Sequence, residues 1–247
     1  MKLCWRNFSG YLGVWALLTM NSTSFPSPGK TFDAAVVLFS DPFYSKGPND
    51  QGIGWNILSS LKRVGLGFGL AALVGIPLGF IIGRFEFFSR MFSPLISLLK
   101  PVSPLAWLPI VTMVVSASIT SDDPTLPKSF VISAIVVMMC SLWPTLINTA
   151  VGTASIDKDL INVGRVLKLG WFAQLTKLVL PSSLPYIFTG MRLSLGTGWM
   201  VLIAAEMLAQ NPGLGKFVWD EFQNGSEKSL ARIMVAVVVI GLIGFVL

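Results

Sequence analysis

The chain reads as an all-α membrane protein with about six transmembrane helices. Apolar residues fill 53% of its 247 positions and charged residues only 12%, against roughly 25% charge in an average globular domain. The mean hydropathy is +0.72. The apolar residues are also gathered into blocks of bilayer length, separated by segments that carry most of the charges and turn formers.

The same composition narrows the chemistry. The absence of histidine removes Ser-His-Asp and Cys-His nucleophile systems and the commonest zinc sites. Cys4 and Cys140 are far apart and outside any C-x-x-C motif, so both read as apolar packers and no disulfide framework is implied. The net charge of +6 fits basic loops on the cytoplasmic side, and without basic runs interleaved with aromatics it does not indicate nucleic acid. No catalytic constellation and no metal site is expected.

The first apolar run, residues 10–20 (GYLGVWALLTM), follows Lys2 and Arg6 and is expected to be a membrane helix rather than a cleaved signal, since no small-x-small site follows it. The run is short for a span, so either the true N-terminus is missing or the helix begins nearer Trp5, and Arg232–Leu247 at the other end reaches only about 24 Å, which reads as a truncated C-terminus. Residues 21–56 are rich in turn formers and form an external loop, in which TFDAAVVLFS makes one short helix at the interface. Residues 1–56 thus make an N-terminal membrane helix and loop, and 57–247 the transmembrane core.

The second span, from about Ile57 to Gly83, carries Gly75, Gly79 and Gly83 on one face, a stripe that lets another helix approach closely. Arg84, Glu86 and Arg90 mark a loop or interfacial turn. The third span, 92–118, is broken by Pro94, Pro101, Pro104 and Pro109. KPVSPLAWLP is too proline-dense for a straight helix and reads as a kinked core helix or a pathway lining. A polar loop (118–128) precedes the fourth span (129–151). The fifth (184–208) and sixth (231–247) flank a loop with a short amphipathic piece. With the N-terminus inside, 84–91 and 152–183 are cytoplasmic and hold Arg84, Arg90, Lys158, Arg165, Lys168 and Lys177.

The polar block 156–180 is longer than a connection needs. On a helix Ile156, Leu160, Val163 and Leu167 form one apolar stripe, with Lys158, Asn162, Arg165 and Lys168 elsewhere. Gly170 permits a change of direction, Trp171–Leu180 supplies a second amphipathic piece, and Pro181 and Pro185 bracket a turn before the next span. Such an element either lies inertly on the membrane surface or docks a partner outside it. Within the spans, Arg63, Arg192 and the polar Ser103 are the candidate substrate contacts, with Lys62 and Lys100 behind them because lysines snorkel readily. Glu206 is costly in an apolar span unless paired, and one of those arginines is its expected partner.

A resemblance adds to this reading. The end of the block matches the L-P end of the pattern E-A-A-x3-G-x9-I/V-x-L-P, with Leu178, Leu180 and Pro181 in place. Its glycine falls on Lys168 and its E-A-A on Asn162, Val163 and Gly164. SLKRVGLGFGLAALVGIPLGFIIG, SPLISLLKPVSPLAWLPI, LWPTLINTAVGT and LVLPSSLPYIFTGMRLSLGTGWMVLIAAEMLAQNPGLG follow in order. Together they resemble the permeases of binding-protein-dependent ABC importers, in the nitrate/sulfonate/taurine family. SDPFYSKGPNDQGIGW and INVGRVLKL look most like the cyanobacterial-type nitrate, bicarbonate or cyanate permeases.

The resemblance implies the type I ABC importer permease fold, in the cell inner membrane, and import of a small inorganic anion, nitrate first. It implies a second permease copy as a homodimer, two cytoplasmic ATPase subunits that hold ATP and Mg, and a periplasmic or lipid-anchored solute-binding protein. No cofactor is expected in this chain. Leu160, Asn162, Val163, Gly164, Arg165, Leu167, Lys168 and Gly170 would then belong to the coupling helix that meets the ATPase. Import of sulfonate- or taurine-type organic anions is the alternative. A stand-alone secondary transporter would need a coupling-ion site or an internal repeat, and neither is clear in the sequence.

Overall fold

The computed structural model describes residues 25–47, 50–119 and 127–247, together with Gly13, Trp15 and Thr19. The helices Ile53–Arg84, Lys128–Ala154, Trp171–Ala209 and Lys228–Val246 are long and apolar enough to cross a bilayer, and Glu86–Leu99 with Pro104–Ser118 together form a bent apolar pair, a broken span or a re-entrant loop. The first expected span, at 10–20, lies almost wholly outside the described residues. The chain divides into two compact units: the residues up to Leu61 with Glu206–Val246, and Lys62–Ala205 with Leu247.

The first unit opens with α1 (Pro28–Ser40), started by Pro28 in its first turn and by the Ser27 hydroxyl, which accepts the Lys30 N–H. A short antiparallel hairpin, β1 (Ser45–Gly47) and β2 (Asp50–Gln51), leads into α2 (Ile53–Arg84), which begins in this unit. The Gly54 N–H donates to the Pro42 carbonyl at 2.7 Å, and the Trp55 indole donates to the Phe43 carbonyl at 2.9 Å. The end of α8 (Leu180–Ala209), then α9 (Leu214–Asn224) and α10 (Glu227–Val246), complete the unit. The amphipathic piece expected between the last two spans is α9.

Glu206, fully buried at the end of α8, organises the start of α9. It accepts the Gly215 N–H at 3.0 Å and the Ser60 hydroxyl at 2.9 Å, and the Ser60 oxygen in turn accepts the Leu214 N–H at 3.0 Å. A carboxylate and a serine from other helices thus satisfy the first amides of α9, where the N-cap is Gly213 and offers no side chain. A Cβ at Gly213 would run into both carboxylate oxygens, which is why that position is bare.

In the second unit α5 (Lys128–Ala154) is approached closely from two sides. Gly75, Gly79 and Gly83 of α2 face Thr145, Thr149 and Thr153 of α5 one turn after another. A Cβ on Gly79 would lie 2.6 Å from the Thr149 Cβ and 2.8 Å from the Leu146 carbonyl oxygen. The Thr149 and Thr153 hydroxyls donate to the carbonyls one turn back, at 2.7 and 2.8 Å, so each presents its methyl outward and leaves no donor stranded. On the other side α8 meets α5 through a polar clasp. Ser194 donates to the Ser141 carbonyl at 2.6 Å, Ser141 donates to the Ser194 carbonyl at 3.0 Å, and the Thr145 and Ser194 hydroxyls lie 2.6 Å apart. Val111 and Val115 of α4 (Pro104–Ser118) pack on Ile132 and Val136 of α5 and Ala205 of α8.

Two expectations are corrected. Glu86 and Arg90 are not in a loop; they open α3 (Glu86–Leu99) and pair one turn apart at 2.6 Å. The third span is not one kinked helix, because α3 and α4 meet at 96°. Lys100–Ser103 holds Pro101 and is followed by Pro104, so the amides that would carry a helix through the corner are missing.

The glycine row gives a test. Gly79→Ala is expected to lower the thermal midpoint of the purified permease by the equivalent of about 1–3 kcal/mol of overpacking. Gly69→Ala on the same helix, where an added Cβ meets nothing, should leave it unchanged. Equal midpoints would refute the close contact.

Candidate coupling segment and translocation cleft

Both candidate sites lie in the second unit. The polar block starts as a capped helix, α6 (Lys158–Val166): Asp157 precedes it, and its carboxylate accepts the Asp159 N–H at 2.9 Å. Asp159 adds a second negative charge in the first turn. The helix ends in a Schellman motif, in which the Leu169 N–H reaches back to the Gly164 carbonyl at 3.0 Å while Lys168 takes the left-handed φ of 50°. Gly164 is buried, and a Cβ there would lie 2.8 Å from the Leu178 Cδ1. The Gln174 amide donates to the Ile161 carbonyl at 3.3 Å and ties α6 to the segment after the turn.

These two positions account for part of the E-A-A…G pattern in physical terms. Its second alanine falls on Gly164, where an added Cβ would press on the end of the Leu178 side chain. Its glycine falls on Lys168, the left-handed residue that ends α6. A lysine holds that conformation at a penalty of about 1 kcal/mol relative to glycine.

The chain resumes at Gly170 with α7 (Trp171–Gln174) and runs through a π-helical turn, Leu175–Val179, straight into α8. The expected second amphipathic piece is therefore the start of the span, and Pro181 and Pro185 bracket no turn. The Leu180 N–H bonds to the Leu175 carbonyl, five residues back. This wider turn lies just ahead of Pro181, whose ring would crowd the Lys177 carbonyl and which has no N–H for it.

The expected stripe is divided. Ile156 precedes α6, Leu160 is half-buried, and Val163 and Leu167 are exposed, Leu167 by 64%. Asn162 is exposed, Gly170 is exposed at the turn, and Arg165 lies in the last turn of α6. The sequence reading missed Val166, 81% exposed, and Trp171 and Phe172, the latter 70% exposed. Two adjacent aromatics directly after a turn glycine were the available signal. Val163, Val166, Leu167, Trp171 and Phe172 leave this segment with an uncovered apolar surface flanked by polar residues.

A cleft of about 560 Å³ opens between the α3–α4 corner, α5 and α8. Lys100, Trp107, Trp143, Asn148 and Thr197 supply its polar atoms. The Asn148 amide donates to the Pro144 carbonyl at 2.8 Å, and Thr197 donates to the Leu193 carbonyl at 3.0 Å, so both are held in place. The three leading pathway candidates are not brought together here. Ser103 is exposed at the corner between the lining residues Val102 and Pro104. Arg192 is exposed on α8 next to the lining residue Leu193. Arg63 is 3% exposed, with its guanidinium carbon 6.0 Å from the centre of the Phe130 ring. Lys100, ranked behind them by sequence, lines the cleft.

Apolar spans around a cleft with a lysine in its lining, joined to a helical hairpin with an uncovered apolar surface, are the parts of a multi-pass transport subunit. Residues 75–247 match the family model described as binding-protein-dependent transport system inner membrane component, and the chain belongs to that family. It is 37% identical over 236 residues to the nitrate import permease protein NrtB of Leptolyngbya laminosa, covering 96% of this chain and 80% of that one. It is 35% identical to NrtB of Synechocystis (96% and 81% covered) and 35% identical to the bicarbonate transport system permease protein CmpB of Synechococcus elongatus (96% and 82%). The chain is thus a type I permease of an ABC importer for small anions, in the inner membrane, and a transport component. The family implies ATPase and substrate-binding partners.

The left-handed lysine gives a further test. Lys168→Gly is expected to stabilise the segment by about 1 kcal/mol, read as slower proteolysis within 156–170, and Lys168→Val to accelerate it. No change in either variant would contradict the Schellman geometry.

Proposed function

We propose that the chain forms, as a homodimer, the membrane path of a nitrate importer, with residues 156–170 docking into two cytoplasmic ATPase subunits. The observation that carries the substrate is the 37% identity to a nitrate import permease along nearly the whole chain. Bicarbonate is the second reading, favoured by the 35% identity to a bicarbonate permease. Nitrate and bicarbonate are planar, singly charged oxyanions, so one cleft with one fixed cation suits either. A periplasmic or lipid-anchored binding protein delivers the anion, and ATP and Mg bind to the ATPases, with no cofactor in this chain.

Docking is through the apolar surface. Val163 and Leu167 point outward, Leu160 backs them, and Val166, Trp171 and Phe172 widen the patch. Asn162, Lys168 and Gly170 lie at its exposed edge, Gly164 fixes the hairpin from behind, and Arg165 belongs to the same helix. ATP-driven closure of the ATPases then moves α8 directly, since the hairpin continues into that span without a flexible joint. In the cleft Lys100 provides the charge, Ser103 stands at the rim, and Arg63 and Arg192 add positive potential.

Uptake of labelled nitrate and labelled bicarbonate by proteoliposomes holding the full importer decides the cargo. Nitrate uptake that needs ATP and the binding protein is expected, and bicarbonate-only uptake would replace the first reading by the second. Leu167→Asp is expected to abolish co-purification of the ATPase while the permease still inserts. A variant that assembles and couples normally would overturn the docking assignment. Lys100→Gln should reduce nitrate uptake at least tenfold with ATPase binding intact, and undiminished uptake would remove Lys100 from the path.

A further inference from the structure

On α2, two neighbouring rows of residues have different surroundings. Gly75, Gly79 and Gly83 are taken up by α5. Ile76, Phe80 and Arg84 lie one residue on, about 100° further round the helix, and form a row of their own. That row makes one wall of a cavity of about 380 Å³. Trp171, Leu175 and Val179, again four residues apart, make the other wall along α7 and the π-helical turn. α2 ends at Arg84, whereas the second wall starts at Trp171 and runs on into α8. Arg84 and Trp171 therefore stand at the end of the span, with Ile76 and the buried Val179 deeper in it.

The lining is apolar apart from Arg84 and Gln174. The Gln174 amide is tied to the Ile161 carbonyl. Among the described lining residues Arg84 is the one charge, and none of them is acidic. The carboxylate nearest to it in sequence, Glu86, pairs with Arg90. A cation is thus built into an apolar cavity whose lining supplies no anion.

We propose that this cavity is a phospholipid site: the phosphate lies on the Arg84 guanidinium, and one acyl chain runs past Phe80 and Leu175 towards Ile76 and Val179. The charge calls for an anion, and a guanidinium holds a phosphate through paired N–H donors. The rest of the lining calls for an apolar body attached to that anion. Head and tail share one continuous cavity, at the end of a span where lipid headgroups lie. From Arg84 to Ile76 it reaches about 12 Å along α2, inside one leaflet, which a water-soluble partner does not enter. Leu175 and Val179 are the two ends of the π-helical turn, so the acyl chain lies against the joint through which the hairpin continues into α8. The site depends neither on the cargo nor on what docks on residues 156–170.

The experiment uses the complete importer in nanodiscs containing a phosphatidylglycerol with a diazirine in the middle of one acyl chain. After irradiation, labelled chymotryptic peptides are mapped by mass spectrometry. Label is expected within 76–85 and 171–179. It is also expected on α10, where the exposed Val237, Val238 and Leu242 give the reference for ordinary lipid contact. In Arg84→Gln the cavity label should fall at least threefold relative to that reference, and Arg84→Lys should keep most of it. Label on the reference alone would mean that protein covers the cavity, and would overturn the proposal. Equal cavity label in Arg84→Gln would do the same, since the lipid would then be an unanchored neighbour. Ile81→Trp, which narrows the cavity from a partly exposed lining position, is a second probe that leaves the charge in place. It should also lower the cavity label at least threefold, and unchanged label would refute the acyl-chain placement.

Discussion

The close approach of other helices to α5 is the constraint on which the second unit depends. Lipid offers no hydrogen bonds, so an unsatisfied polar group in a span is penalised by several kcal/mol. Helices there are drawn together by packing rather than by expulsion of water. The glycines of α2 let its backbone come within reach of Thr145, Thr149 and Thr153, and the hydroxyls of Thr149 and Thr153 are already engaged with their own helix. On the α8 side the exchange between Ser141, Thr145 and Ser194 is reciprocal, so each hydroxyl has a partner in the dry interface. With α5 gripped from both sides, α4 is fixed on Ile132 and Val136, while the corner before it projects away. The cleft forms in the space that corner leaves.

The segment 156–170 shows how a family pattern can survive the loss of its letters. Read as chemistry, Lys168 in place of glycine and Gly164 in place of alanine looked like departures. Read as backbone, they obey the same demands: a left-handed residue after the last turn and no bulk against Leu178. Asn162, at the position of the pattern's glutamate, faces outward, so its change alters the charge of a surface and leaves the hairpin's interior as it was. The apolar face is the feature that this hairpin exposes and its fold does not use.

What the sequence made legible was whatever depends on composition over many residues. The second, fourth, fifth and sixth spans, the short helix α1, the amphipathic α9 and the glycine stripe all follow from hydropathy or from spacing. What it concealed depends on the local competition for backbone hydrogen bonds. The prolines of KPVSP announced a break but not a 96° corner, because missing amides stop one helix without fixing the direction of the next. Pro181 and Pro185 suggested a turn, yet a π-helical turn widens the backbone just ahead of Pro181 and the helix continues. Val166, Trp171 and Phe172 were passed over because the reading followed one helical stripe, whereas the exposed surface is shared between α6 and the start of α7.

Charged residues inside apolar blocks were the hardest to assign, because charge alone does not distinguish a contact from a brace. Glu206 sits in an apolar run and by default would be a functional site. Its oxygens are engaged by Ser60 and the Gly215 amide, so its work is to hold the first turn of α9 in place of a capping side chain. Arg63 is buried with its guanidinium over Phe130, again within the packing. Lys100 has a different origin. It closes α3 with its N–H on the Ile96 carbonyl, and the following Pro101 prevents the helix from continuing over the cleft. The proline-rich corner that breaks the span thus also places a cation in the wall of the cavity. The structural irregularity and the positive charge at the cleft arise from the same four residues, 100–103.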